Sequence, residues 1–201
     1  ELDKGNFVVI GDDREREDEG DLVLAAEFAT AEKIEEMRSL CSGIICVSMT
    51  ERRCKQLNLY PMVVDNKDNH QTAFTVSIDA INVRTGVSGE ERSITIRALA
   101  DDKSTPEDFR RPGHIFPLCA RQGGVLERPG HTEAVIDLAK LAGCKLVVVI
   151  SELVKIDDKK GRMMTNAESI QFAKRRGFAS ITIEELSMVM RKKTITLRSC
   201  L

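Results

Sequence analysis

Apolar positions along the chain fall into short runs with two different periods. Residues 7–10 and 22–26 are β-rich runs with a charged segment, 11–21, between them, which predicts two strands flanking an exposed acidic loop. Ile34, Met37 and Leu40 recur near helical spacing behind Thr30, predicting a capped helix over 31–40 that Gly43 stops. A buried strand follows over 44–49, and Thr50 opens a short helix to about 57. Alternation of Ala, Phe and Val with Thr and Ser over 72–78 predicts a strand. Ser88-Gly89-Glu90-Glu91 has capping-box spacing for a helix to about 100, and Thr105-Pro106 suits one helical turn. Then come a strand over 114–121, a helix over 132–142 ended by Gly143, and a strand over 145–151 with Glu152 at its end. Asn166 is expected to cap a helix to 176 closed by Gly177, before a strand at 181–183 and a last helix from 184. Strands and helices mixed in this way predict an α/β (α+β) fold, a single-domain layered sandwich with a mixed β-sheet flanked by helices. One catalytic domain over 1–201 is the expected organisation.

Composition narrows the function classes. With 201 residues and 42% hydrophobic positions there is material for one core, two domains being the outer limit. A net charge of −2, 4% aromatics and no Trp argue against a nucleic-acid partner. No apolar run approaches the ~18 residues of a membrane span, and the charged start has no signal-peptide pattern. The six cysteines, at 41, 46, 54, 119, 144 and 200, include no C-x-x-C pair. They read as reduced thiols, implying a cytoplasmic address with an organelle not excluded.

Three features carry candidate chemistry. Seven of the ten residues from Asp12 to Asp21 are carboxylates, a density that suits hard, oxygen-preferring cations such as Mg²⁺, although charge runs are often only solvated turns. The tetrapeptide Arg-Pro-Gly-His occurs at 111–114 and again at 128–131, and holds two of the three histidines. His131 stands just before a predicted helix, where free N–H groups favour an anion; Thr132 adds a hydroxyl, Arg128 a forked donor, and Gly130 lets the backbone come close. The physical reading is a phosphate seat beside a metal-ligand histidine, the plainer one a helix capped by Thr132. Glu152, at the end of an apolar strand, lies where α/β proteins bind ligands. Cys46 reads as packing, and Thr85-Gly86 and His70 read as turn and loop residues.

Several motifs in order then resemble one family. Arg16-Glu17-Asp18-Glu19-Gly20-Asp21 is similar to the R-E-N-E-G-D loop of 3,4-dihydroxy-2-butanone 4-phosphate synthases. Residues 111–118 resemble their R-P-G-H-V-F-P-L segment, and Gly123-Gly124-Val125-Leu126 with Gly130-His131-Thr132-Glu133-Ala134 resembles G-G-V-L…G-H-T-E-A. The resemblance implies a lyase of riboflavin biosynthesis that converts D-ribulose 5-phosphate to 3,4-dihydroxy-2-butanone 4-phosphate and formate. It implies Mg²⁺, with Mn²⁺ as a substitute, and a homodimer whose active site is shared between chains. By motif position it implies Glu17 and His131 as metal ligands, with Glu19 a further one. Arg16, Glu17, Asp21, Thr85, Arg128, Gly130, His131, Thr132 and Glu152 would contact substrate. His114, Glu152, Asp21 and Cys46 fall at catalytic positions, with Asp21 or Glu152 taking the first proton.

Three positions depart from the family pattern. Asp18 replaces an Asn and is expected to add a charge beside the metal; Gln71 replaces a common Gly; Ser151 replaces a common Cys. The acidic loop and phosphate seat by themselves also allow another Mg²⁺-dependent lyase or isomerase on a pentose phosphate, or a phosphosugar-binding protein without turnover.

Overall fold

The computed structural model describes residues 1–13 and 15–199; Cys200 lies outside them. Seven strands form one mixed sheet: β1 (Val8–Gly11), β2 (Gly20–Ala25), β3 (Cys46–Thr50), β4 (Ile78–Ala80), β5 (Phe109–Ala120), β6 (Val147–Glu152) and β7 (Ala179–Thr182). Their order is β4-β5-β3-β6-β2-β1-β7, with β3–β5 and β1–β7 parallel and the other neighbours antiparallel. Six helices flank it: α1 (Ala31–Leu40), α2 (Glu51–Gln56), α3 (Gly89–Ala100), α4 (His131–Ala142), α5 (Asn166–Arg176) and α6 (Ile183–Ser199). The layered α/β architecture expected from the sequence is the one observed.

Alternation along the central strands divides the core. Val9, Leu22, Leu24, Val47 and Val149 face α1, α3 and α5 through Ile34, Met37, Ile96, Leu99 and Phe172. Val8, Ile10, Val23, Val148 and Ile150 face α4 and α6 through Val135, Ile136, Ala139 and Leu186. Each such side chain removed from water contributes about 1.5–3 kcal/mol. No helix among the described residues is long and apolar enough to cross a membrane.

The local signals were mostly the ones at work. Thr30 accepts from Lys33 N at the start of α1, and Ser88 from Glu91 N at the start of α3. Gly143 and Gly177 close α4 and α5 with φ of 72°. Three expectations need correction. Thr165, not Asn166, caps α5, because Thr165 and Glu168 form a reciprocal capping box. The strand expected over 72–78 is reduced to β4 and to isolated bridges at Phe74 and Thr75, beside a β5 whose Pro117 has no N–H to continue a ladder. Conversely, β5 begins at Phe109, five residues before the expected strand, and runs through Pro112 and Gly113. A Cβ on Gly113 would stand 2.0 Å from the backbone carbon of Ile78, so glycine is what allows β4 to pair there. The two Arg-Pro-Gly-His segments are thus unlike in structure: one lies within a strand and the other ends in the first residue of α4.

Candidate active site

The site grows from strand register. Asp21 of β2 stands opposite Glu152 of β6, and Cys46 of β3 opposite Ile150 of β6. Facing antiparallel partners share a sheet face, and residues two apart on one strand share it too. Asp21, Glu152, Ile150 and Cys46 therefore look toward α4. The Ser48 hydroxyl donates to the Thr132 carbonyl at 3.0 Å and ties the start of α4 to β3.

Above this floor, the β1–β2 connection folds inward and is not simply exposed. Asp12 is 1% exposed, and its N–H donates to the Glu19 carbonyl at 2.9 Å. Arg16 Nη1 bridges Asp12 Oδ2 at 2.6 Å and Glu17 Oε2 at 2.8 Å. Donor atoms of Asp12, Glu17 and His131 all lie within 4.8 Å of one another, an N/O set of the kind Mg²⁺ or Mn²⁺ accepts. Glu19, expected as a ligand, lines the cavity beside them. Glu17 and His131 are two of the ligands the sequence resemblance implied; Asp12, which the sequence marked only as part of the acidic loop, joins them. Buried His131 Nε2 and Asp21 Oδ1 have no hydrogen-bond partner among the described residues, which is the state expected of atoms that serve a ligand.

Electrostatics separates the acids. Burial pushes Glu17 up, but the hydrogen bond with His131 and the charges of Arg16, His131 and His70 outweigh it and hold its pKa down to about 2. Burial, with help from Glu152, Glu17 and Glu19, pushes Asp21 up to about 7 against the pull of His131. His131 is lowered by burial and raised more strongly by Asp21, Glu17 and Asp12, reaching about 9. Burial and the Glu17 and Glu152 charges also raise Glu19. Burial, then Glu152 and Asp21, keep Cys46 a neutral thiol.

The candidate anion seat lies at the start of α4. Gly130 is its N-cap residue, with no side-chain cap, and Thr132 lies inside the helix, so the plainer capping role for Thr132 does not hold. Arg128 is aimed by Glu133, whose Oε2 lies 2.6 Å from Nη1, and by the His70 carbonyl, which accepts from Nη2 at 2.8 Å. A Cβ on Gly130 would meet Arg128 Nη1 at 2.3 Å and Arg16 Nη2 at 3.2 Å. The missing side chain is thus what lets two guanidinium groups converge over a helix N-terminus.

These groups enclose a cavity of about 220 Å³ lined by Arg16, Glu17, Glu19, Asp21, Cys46, Arg128, His131, Thr132 and Glu152, and also by Asp68 and His70. His70 is therefore more than the loop residue its sequence context suggested: its Nε2 lies 3.6 Å from Glu17 Oε1. Ser42, which carried no sequence signal, donates to Glu152 Oε2 at 2.5 Å. Gly130 lies at the cavity's edge, under the two guanidinium groups, and two other expected site residues, His114 and Thr85, are absent from this lining. His114 Nδ1 lies 2.8 Å from Asp79 Oδ2, and its side chain is 46% exposed. Thr85 Oγ1 donates to Glu91 Oε2 at 2.7 Å, and the neighbouring Gly86 packs against the Asp79 carboxylate. His114 and Thr85 thus form a second, outward-facing cluster. Exposed Ile81 and Val87 neighbour it in the chain.

The Asp18 departure has a different consequence from the one expected. Its carboxylate accepts from Asn166 N at 3.3 Å, at the first residue of α5, and is not among the donors that gather at His131. Asp18 and Gln71 both have positive φ, 51° and 55°, a conformation that suits Asn and Gly at those positions. Ser151 donates to the Ile44 carbonyl at 2.7 Å.

Comparison with known proteins points to one family. The profile described as 3,4-dihydroxy-2-butanone 4-phosphate synthase matches residues 1–189. A protein of that name from Wolinella succinogenes is 48% identical over 185 residues, 92% of this chain and 52% of that protein. The riboflavin biosynthesis protein RibBA of Bacillus subtilis is 49% identical over 185 residues, 92% of this chain and 46% of that protein. The chain spans about half the length of the curated relatives it matches. A crystal structure of 3,4-dihydroxy-2-butanone 4-phosphate synthase in complex with two magnesium ions superposes with a TM-score of 0.89 at 42% identity, covering 95% of this chain and 93% of that chain.

Proposed function

The chain belongs to the 3,4-dihydroxy-2-butanone 4-phosphate synthase family, and from that premise we propose that it is the Mg²⁺-dependent lyase that converts D-ribulose 5-phosphate to 3,4-dihydroxy-2-butanone 4-phosphate and formate in riboflavin biosynthesis. The observation that carries this reading is the meeting of two guanidinium groups and three metal-donor atoms across Gly130-His131. A phosphate held at one end and a polarised carbonyl at the other is what a pentulose phosphate requires.

Glu17 and His131, with Asp12, would hold the divalent cation; Mn²⁺ suits the same donors. When bound, the metal supplies Lewis-acid polarisation and counter-charge for an enediolate. The chain's own groups do the rest. Arg128 and Arg16 bind the phosphate over Gly130 and the α4 N-terminus, with the Thr132 hydroxyl beside them, so that binding energy far from the reacting carbons fixes their orientation. Asp21 takes the first proton: burial beside Glu152, Glu17 and Glu19 makes its carboxylate more basic than an ordinary one, and Oδ1 has no other partner. Glu152, oriented by Ser42 and paired in register with Asp21, is placed to pass protons in later steps. Cys46 fills the floor as a neutral thiol.

His114 and Thr85 serve the site of a second copy. This accounts for their held but outward-facing positions, and makes the protein a homodimer with shared sites. Thiols that are free at Cys41, Cys46, Cys54, Cys119 and Cys144 suit a reducing, cytoplasmic setting. Incubation with D-ribulose 5-phosphate, with Mg²⁺ or with EDTA, tests the reading: formate released only with metal supports it, and none with any divalent metal overturns it.

A further inference from the structure

Beside the catalytic cavity lies a larger one, about 630 Å³, that the reaction does not use. Its walls are largely apolar, with Leu59, Tyr60, Met62, Val64 and Phe74, and both Cys54 and Cys119 open into it. Cys54 sits on α2, which turns back directly from the end of β3; Cys119 sits on β5, in parallel register with Met49 of β3. Because α2 folds back beside β5, the two thiols lie side by side on the wall of this cavity. Cys54 is 3% exposed and Cys119 half-buried. The contact with Cys54 lowers the Cys119 thiol pKa against the effect of burial, with Arg121 and Lys55 assisting. Cys41, Cys46 and Cys144 are all raised. A partly exposed thiol with more thiolate character, touching a second buried thiol, is the arrangement in which one sulfur attacks and the other resolves.

We propose that Cys119 and Cys54 form a reversible dithiol–disulfide site, with Cys119 the sulfur that meets a hydroperoxide in the apolar cavity and Cys54 the resolving thiol. The Cys119 thiolate attacks one peroxide oxygen. The O–O bond breaks, a hydroxide leaves and takes up a proton as water, and Cys119 becomes a sulfenic acid. Cys54 then attacks the Cys119 sulfur. The S–O bond breaks, and the departing hydroxide takes the Cys54 proton as a second water. The two thiols are oxidised by two electrons in all, and one hydrogen peroxide is reduced to two waters. A thiol reductant returns the pair to its starting state.

The test is exposure of the native, metal-loaded protein to a small excess of hydrogen peroxide, followed by thiol blocking and peptide mass analysis. The expected product is a linked Cys54–Cys119 peptide lacking two hydrogens, cleared by dithiothreitol. Cys54→Ser should stop at a Cys119 sulfenic acid that dimedone captures. Cys119→Ser, at the less buried position, should give neither product and keeps the test open if Cys54→Ser does not fold. Oxidation that begins at Cys41, Cys46 or Cys144, or methionine oxidation with no linked peptide, overturns the proposal.

Discussion

Glu133 Oε2 stands 2.6 Å from Arg128 Nη1, on a carboxylate side chain only 2% exposed, while its other oxygen accepts from the Arg121 backbone N–H. One residue thus fastens the Arg128 guanidinium, the proposed phosphate contact, to α4 and the end of β5 to the same point. Glu133→Gln would turn one acceptor into an amide donor facing Arg128. A hydrogen bond to a charged group is worth about 1.5–3 kcal/mol, so KM for the sugar phosphate should rise roughly 10- to 100-fold. Magnesium affinity should stay unchanged, because Glu133 is not among the gathered donors. Steady-state kinetics with a parallel metal titration decides it: a fall in kcat at constant KM would remove Glu133 from the positioning role.

Gly130→Ala isolates the anion seat from folding. Gly130 has φ −124° and ψ 160°, extended backbone that alanine adopts freely. Its new Cβ would fall 2.3 Å from Arg128 Nη1, the far end of a flexible side chain that can swing away. The variant should melt close to the parent while KM rises by about tenfold or more, the cost of misplacing one charged contact. Thermal melting and KM measured on one preparation check it; a large drop in melting temperature with normal KM would place the role of Gly130 in the backbone.

How much of this was readable in the sequence follows from how local each signal is. Caps at Thr30 and Ser88 and the stops at Gly143 and Gly177 act within one turn of chain, so their residue types show them. The acidic loop and the His131 turn were visible as motifs, but that Arg16 and Arg128 converge over Gly130 depends on β1–β2 folding back onto α4, a relation across more than a hundred residues. His70 gave no sign, since its value lies in what its loop leans on. Pro112-Gly113 fell outside the strand expected from 114, because Pro and Gly are poor strand residues; here β4 supplies a close neighbour that only glycine admits, and tertiary pairing overrides local preference. Ser42 and Asp79 carry no motif, and only their contacts with Glu152 and His114 reveal them.

Asp18→Asn should restore the family residue at almost no cost. Asparagine tolerates φ 51° at least as well, and its side-chain oxygen can still accept from Asn166 N. Because the Asp18 carboxylate faces the start of α5, Mg²⁺ affinity should change less than about twofold, and stability by less than ~0.5 kcal/mol, the ordinary range of surface substitutions. Calorimetric metal titration of both forms is the check. A several-fold change in affinity would return Asp18 to the metal's immediate surroundings.

Shared sites predict complementation. His114→Ala and Glu152→Gln should each be inactive alone, because every site of either homodimer carries a lesion. In a mixed dimer with shared sites, one site carries both lesions and the other none. Random mixing of the two variants should therefore recover about a quarter of parental formate release, the statistical share of intact sites in a two-fold dimer. Recovery requires exchange of subunits, so the mixture is refolded together and its oligomeric state measured. No recovery in verified mixed dimers would place His114 and Glu152 in the same chain's site.

The pKa values around the proposed metal donors set how metal and protons would compete. In the metal-free chain Asp21 is raised from 3.8 to about 7 and His131 from 6.5 to about 9, so both bind protons more tightly folded than unfolded. Their contribution to stability is therefore fully present below the unfolded values, and is lost as pH rises through about 7 for Asp21 and about 9 for His131. Glu17, at about 2, stays charged throughout that window. A divalent cation needs His131 deprotonated and gains from a charged Asp21 nearby, so its stabilisation should grow over the same range in which the metal-free protein weakens. Melting temperatures measured with Mg²⁺ and with EDTA from pH 6 to 9 should diverge as pH rises, the EDTA curve falling faster. His131→Asn should flatten the EDTA curve near its alkaline end and abolish the divergence. Curves that run parallel, or converge toward alkaline pH, would show that His131 does not hand a proton to solvent when metal binds.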